Sequence, residues 1–137
     1  MKKNKIIILK IKLNILTWCI EDYTDLLTIS DFVNSYYLIN EDTIIIKENT
    51  LKTIRKLLDD GVILAGSLQK GNTFKVWKRK TDEIIKEIEI KWDNLNRPLH
   101  PHEIVWFDIT EKGSKEFEYL NNLPELKETD PFYFDDK

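Results

Sequence analysis

Apolar residues recur along this chain mostly at helical spacing, broken by short β-branched or aromatic runs. Near the start, Leu9, Ile11, Leu13 and Ile15 alternate with Lys10, Lys12 and Asn14, a strand-like signature. Ile8, Ile11, Ile15 and Cys19 also line one helical face, with Leu16 and Ile20 beside it. The apolar density continues through Trp18 to Ile20 and favours helix. Thr24 is then placed to cap a second helix, residues 25 to about 37, whose stripe is Leu26, Ile29, Val33 and Tyr36 or Tyr37. Ile44, Ile45 and Ile46 form a β-branched run that suits a strand or the lead-in to the next helix. Asn49 or Thr50 is the expected cap of a helix over residues 51–59, with Leu51, Ile54 and Leu58 inward and Lys52, Arg55 and Lys56 outward. Gly61 is its expected stop, because glycine tolerates the left-handed terminal conformation.

Beyond Gly61 the period changes. Val62, Ile63 and Leu64, then residues 73–77, read as a hairpin joined across Lys70, Gly71 and Asn72. Thr81 is the expected cap of a helix over residues 82–94 with Ile84, Ile85, Ile88 and Trp92 on one face. Pro98 and Pro101 exclude helix between residues 97 and 101. Residues 104–109 read as a strand. Thr110 caps a last helix, residues 111 to about 121, which ends before Pro124. Trp77, Trp92 and Trp106 lie in apolar-periodic contexts and are expected to be mostly buried.

A helix ending in Gly61, a strand, a hairpin, a further strand and a Thr-capped helix follow the winged-helix order. Phe107-Asp108-Ile109-Thr110-Glu111-Lys112-Gly113 resembles the strand–Thr–Glu–Lys–Gly–helix exit of bacterial winged-helix regulators. Thr caps the helix, Glu suits its first turn, and Gly lets it pack close to the wing. Residues 73–103 depart from that pattern as an insertion within the wing.

A wider resemblance covers most of the chain. Trp18 to Leu26, Gly61 to Gly66, Phe74 to Trp77, Trp92 to Pro98, and Ile104 to Phe107 with Thr110 and Gly113 are similar to blocks of small bacterial proteins with a winged-helix-like domain. Asp25 stands where many of those proteins have Gly. The resemblance implies a fold and supplies no catalytic residues. Small proteins of this kind suit the role of immunity partner to a secreted toxin. The expected architecture is α/β (α+β): a winged-helix-like domain over residues 1–125, with an inserted helix and Pro-rich loop in the wing. Residues 126–137 form an acidic, aromatic C-terminal tail.

The length of 137 residues suits one domain that buries a core without disulfides. The single cysteine, Cys19, excludes an internal disulfide and fits a reducing, cytoplasmic setting. The apolar run at residues 6–9 is broken by Lys10 and Lys12 and lacks a small-residue cleavage site, so neither a signal peptide nor a membrane span is expected. The net charge of −3 hides an uneven distribution. Residues 1–12 carry five Lys and no acid, and residues 13–46 carry six acids and no base. Residues 47–80 carry nine bases against three acids, and residues 81–137 carry seven bases against fifteen acids. Such blocks point to a charged partner.

Reaction chemistry has little to stand on. His100 and His102 with Glu103 and Asp108 would need a further metal ligand from elsewhere, and exposed loop imidazoles beside prolines are the simpler reading. Cys19 falls on an apolar helix face, the serines lack a nucleophile-elbow context, and residues 66–71 lack the Gly-Lys-Ser/Thr ending of a phosphate loop. No enzyme activity, cofactor, metal or small-molecule substrate is expected.

Two binding sets remain. Lys52, Arg55, Lys56, Lys75, Lys78 and Arg79 fall on the recognition-helix and wing positions, where phosphate contact is the functional reading. Asp130, Phe132, Tyr133, Phe134, Asp135 and Asp136 combine acids with aromatic anchors, the mix that fills a basic, partly apolar pocket on a partner protein. The expected function is therefore a protein-binding module for a basic partner such as a toxin, with a DNA-binding regulator as the alternative.

Overall fold

The computed structural model describes residues 3–37 and 42–127. Among these residues the chain forms six helices and a four-stranded antiparallel sheet, a mixed α+β architecture. The order is α1 (Lys3–Glu21), β1 (Thr24–Asp25), α2 (Leu26–Tyr37), α3 (Thr43–Asp59), β2 (Ile63–Gln69) and β3 (Thr73–Val76). Then come α4 (Thr81–Asp93), β4 (Trp106–Ile109), α5 (Glu111–Asn121) and α6 (Pro124–Lys127).

The helical reading of the first segment holds, and the reason is packing. Ile11, Leu13, Ile15, Leu16 and Cys19 are all buried, because α1 packs against α2, α5, β4 and α6 and so hides more than one face. Trp18, in the same apolar run, is 46% exposed and tilts against Phe32. The cap of α2 moves by one residue. Thr24 lies in β1, and Asp25 caps: its Oδ1 accepts from the Thr28 amide at 3.1 Å and the Thr28 hydroxyl at 2.6 Å.

The isoleucine run 44–46 is the first turn of α3. Asp42 caps it by accepting from the Ile45 amide. Asn49 and Thr50, expected as caps, lie in the helix interior and donate to the Ile45 and Ile46 carbonyls one turn back. Leu57 rather than Leu58 completes the fully buried stripe with Leu51 and Ile54. Gly61, at φ +72°, ends the helix, and the Gly61 and Val62 amides close on the Leu58 and Leu57 carbonyls.

The hairpin pairs Gln69 with Thr73 and Gly66 with Val76, and Gly71 and Asn72 take left-handed conformations in its turn. Lys80, not Thr81, is the cap residue of α4, without a side-chain bond; Asp82 and Glu83 supply favourable charge to the first turn. Thr110 caps α5 as the sequence indicates. Its hydroxyl accepts from the Gly113 amide at 2.9 Å and donates to the Gly61 carbonyl at 2.6 Å, tying α5 to the end of α3. Pro124 opens a short further helix, its missing amide harmless at a first helical position. Leu126, at the expected start of the tail, is 3% exposed and belongs to the core.

The sheet order is β1-β4-β2-β3. Ile63, Ala65 and Phe107 point to the helices and join their core. The alternate positions, Leu64, Gly66 and Trp106, form the opposite face. No helix among the described residues is long and apolar enough to cross a membrane.

Candidate functional site

The basic residues of the middle segment are spread over three parts of the fold. Lys52, Arg55 and Lys56 stand on α3, Lys75 on β3, and Lys78 and Arg79 on the link to α4. Helix α4 packs against α3 and carries Asp82, Glu83, Glu87, Glu89 and Asp93. Its acids take up several of the bases. Arg55 pairs with Asp82, Lys47 with Asp93, and Arg79 with Glu87. Lys56 lies 3.7 Å from Asp60, and Lys12 bridges Asp60 at 3.9 Å and Glu116 at 3.0 Å. Among the described residues Lys52, Lys75 and Lys78 carry no ion pair. An open groove of about 770 Å³ runs between α1 and α3, with Ile8, Ile11 and Leu57 as its apolar part and Lys52 and Lys56 on its rim.

Burial pushes the Cys19 thiol up to about 12, which keeps it protonated and a poor nucleophile at neutral pH. His100 and His102 are exposed, and among the described residues no three His, Cys, Asp or Glu side chains converge as a metal site. The tail set Asp130, Phe132, Tyr133, Phe134, Asp135 and Asp136 lies outside the described residues.

A constellation that the sequence does not single out sits at the β1–β4 edge. Asp25 is 6% exposed, yet its carboxylate is satisfied on both sides. Besides the Thr28 bonds on Oδ1, Oδ2 accepts the His102 main-chain amide at 2.7 Å. Burial alone would raise this carboxyl's pKa; the bonds from Thr28 and His102 outweigh it and hold it below the ordinary value. The loop that reaches Asp25 is unusual. Asn96, His102 and Ile104 all have positive φ, at 53°, 69° and 73°, and the last is costly for a β-branched residue. Arg97 forks onto Glu103 at 2.9 and 2.6 Å, and Glu103 also accepts the His100 amide at 2.7 Å. These bonds hold Glu103 down to about 2. The loop thereby lays the His102 ring on Trp106, centroids 5.0 Å apart.

Trp106 belongs to an aromatic layer on the outer sheet face. Tyr23 and Phe74 come from opposite edges of the sheet and stack at 5.1 Å with planes 15° apart. Gly66 permits this. A Cβ there would meet the Phe74 ring at 2.6 Å and the Lys75 carbonyl at 2.5 Å. Trp77, Trp92 and Trp106, expected to be mostly buried, are each half-buried. Trp77 donates to Ser67 at 2.8 Å, and Arg79 and Lys91 lie 5.0 and 5.5 Å from its ring centre. The sequence signal for this face was present in the alternation around Gly66 and Trp106, but periodicity marks which residues share a face and not which face is covered.

Comparison with protein families, characterised proteins and solved structures returns no match.

Proposed function

We propose that this chain is a non-catalytic protein-binding module on a winged-helix-like frame, of the immunity or regulatory type, and that its partner is a basic protein. Support for the frame comes from the element order. A two-residue strand between the first two helices pairs with the last strand, and that strand pairs with the one following α3. In this reading α3 stands at the recognition-helix position, and β3, α4 and the loop to β4 are the insertion in the wing.

The observation that carries the functional reading is the pairing of α3 with α4. A helix that reads DNA presents its bases to phosphate and to base edges. Here Arg55 and Lys47 on α3 are engaged by Asp82 and Asp93 of the inserted helix. The positive charge of the middle segment is thus partly spent within the fold, while the acidic segments leave the molecule negative. The tail residues Asp130, Phe132, Tyr133, Phe134, Asp135 and Asp136 extend that acidic, aromatic character and are assigned to partner contact. A cytoplasmic location goes with the same reading.

The test is affinity capture from the native host with the full chain, followed by reconstitution of the recovered protein from recombinant material. A basic protein that binds at defined stoichiometry, with affinity falling as salt rises, is the expected result. Recovery of sequence-specific DNA and no such protein overturns the reading and establishes the DNA-binding alternative.

A further inference from the structure

We propose that the aromatic outer face of the sheet is where an arginine-bearing segment of the partner docks. This rests on the protein-binding reading above and names the surface and chemistry it would use.

The face is built from Trp106 of β4, Phe74 of β3, Tyr23 just before β1, His102 of the strained loop, and Leu64 of β2, which is 41% exposed. Among the described residues the core helices pack on the other side of the sheet, against Ile63, Ala65 and Phe107. A layer of half-buried rings on an antiparallel sheet is a surface that gains from being covered, because aromatic area contributes strongly to association.

Charge selects the occupant. One step along the register from the Thr24–Phe107 pair, Tyr23 lies beside Asp108, and Asp108 pairs across to Leu64. Glu21 and Asp22 are exposed immediately before Tyr23. Arg97, on the loop that reaches this face, is already forked onto Glu103. Among the described residues neither Asp22 nor Asp108 makes an ion pair, and each has an oxygen beyond the one that accepts the next residue's amide.

Arginine fits that combination better than lysine does. Its planar guanidinium stacks on an aromatic ring and forks a carboxylate at the same time. The fold contains the completed arrangement elsewhere: Arg79 lies over Trp77 while it pairs with Glu87. Trp106 with Asp108, two residues on along the outer face of β4, offers a ring and an acid to a cation from outside.

The experiment uses the full chain, isotope-labelled for NMR, and a synthetic peptide of alternating arginine and glycine. Matched lysine–glycine and glutamate–glycine peptides and oligothymidylate serve as comparisons. Saturable shifts are expected at the Trp106 indole and at the amides of Tyr23, Leu64, Gly66 and Asp108, with the arginine peptide binding more tightly than the lysine peptide. Trp106→Leu should weaken binding about fivefold, the order expected for one cation–ring contact. Asp22→Asn with Asp108→Asn, which keeps the rings in place, should weaken it by roughly as much. Ile90→Ala, at an exposed position of α4, should leave peptide binding unchanged. Shifts confined to α4 or the tail, equal binding of the arginine and lysine peptides without a Trp106 response, or tighter binding of oligothymidylate on this face would each overturn the proposal. If the captured basic protein still binds while Trp106 and the acid pair prove neutral, the surface is wrong and the module reading stands. If no basic protein binds the chain at all, the module reading fails first.

Discussion

At the scale of single residues, the loop before β4 shows how a few polar bonds hold a backbone that sterics disfavour. Left-handed φ at His102 and Ile104 costs energy at each position. The Arg97–Glu103 fork, the His100 amide on Glu103 and the His102 amide on Asp25 fix the loop around those positions. None of this was legible in the sequence, which marked residues 97–101 only as extended. The partners lie on opposite sides of two prolines or, for Asp25, on a segment 77 residues away. Thr110 was legible because its cap is completed within three residues. The loop makes a testable statement about pH. Glu103 is held to about 2, first by the Arg97 guanidinium and then by the His100 amide. Because its folded pKa lies below the unfolded one, its contribution to stability is present above the ordinary carboxylate range. That contribution is lost as pH falls toward 2. Carboxyl NMR should find a Glu103 midpoint near 2, and Arg97→Gln should move it up toward the ordinary value of about 4.3. An unmoved midpoint in the variant would mean that the ion pair does not set it.

At the scale of elements, helices that could satisfy themselves locally were read well, and their starts were read poorly. The isoleucines at 44–46 obscured the beginning of α3, because β-branched runs favour strands when nothing else is known. The Asp42 cap and the Ile46 amide on the Asp42 carbonyl start the helix there, with Ile44 and Ile45 left exposed. The junction of α5 with the sheet was read correctly in kind. Gly113 sits where a Cβ would come within 2.1 Å of the Val62 carbonyl and 2.7 Å of the Ile109 side chain. The obstacle is backbone on a neighbouring element that Thr110 also bonds, so it cannot yield cheaply. Gly113→Ala should therefore cost about 3 kcal/mol, the upper part of the usual range for overpacking. In urea denaturation this appears as a lower midpoint at unchanged slope. A loss no larger than that of an exposed surface substitution would show that α5 can shift freely against β2.

At the scale of the whole molecule, the sequence displayed its charge blocks clearly but not their mutual cancellation. Basic residues 47–80 and acidic residues 81–93 are neighbours in sequence, and a linear reading kept them as separate surfaces. Folding lays α4 against α3, and the two blocks meet as Lys47–Asp93 and Arg55–Asp82. Both acids are more than half exposed, so these pairs add little to stability, typically under about 1 kcal/mol each. Their larger effect is on what the α3 face offers to a polyanion. Asp82→Asn with Asp93→Asn keeps the shape of both side chains and releases Arg55 and Lys47. Nonspecific DNA affinity at low salt should rise from a weak starting level. Its dependence on salt should steepen by roughly 2 in the log–log slope, about 0.9 for each added phosphate contact. Thermal stability should change little, which separates the electrostatic effect from unfolding. Two results would contradict the picture. Tight DNA binding by the unaltered chain would mean the cover is ineffective. A double variant that binds DNA no better would mean that the bases of α3 were never held back by α4.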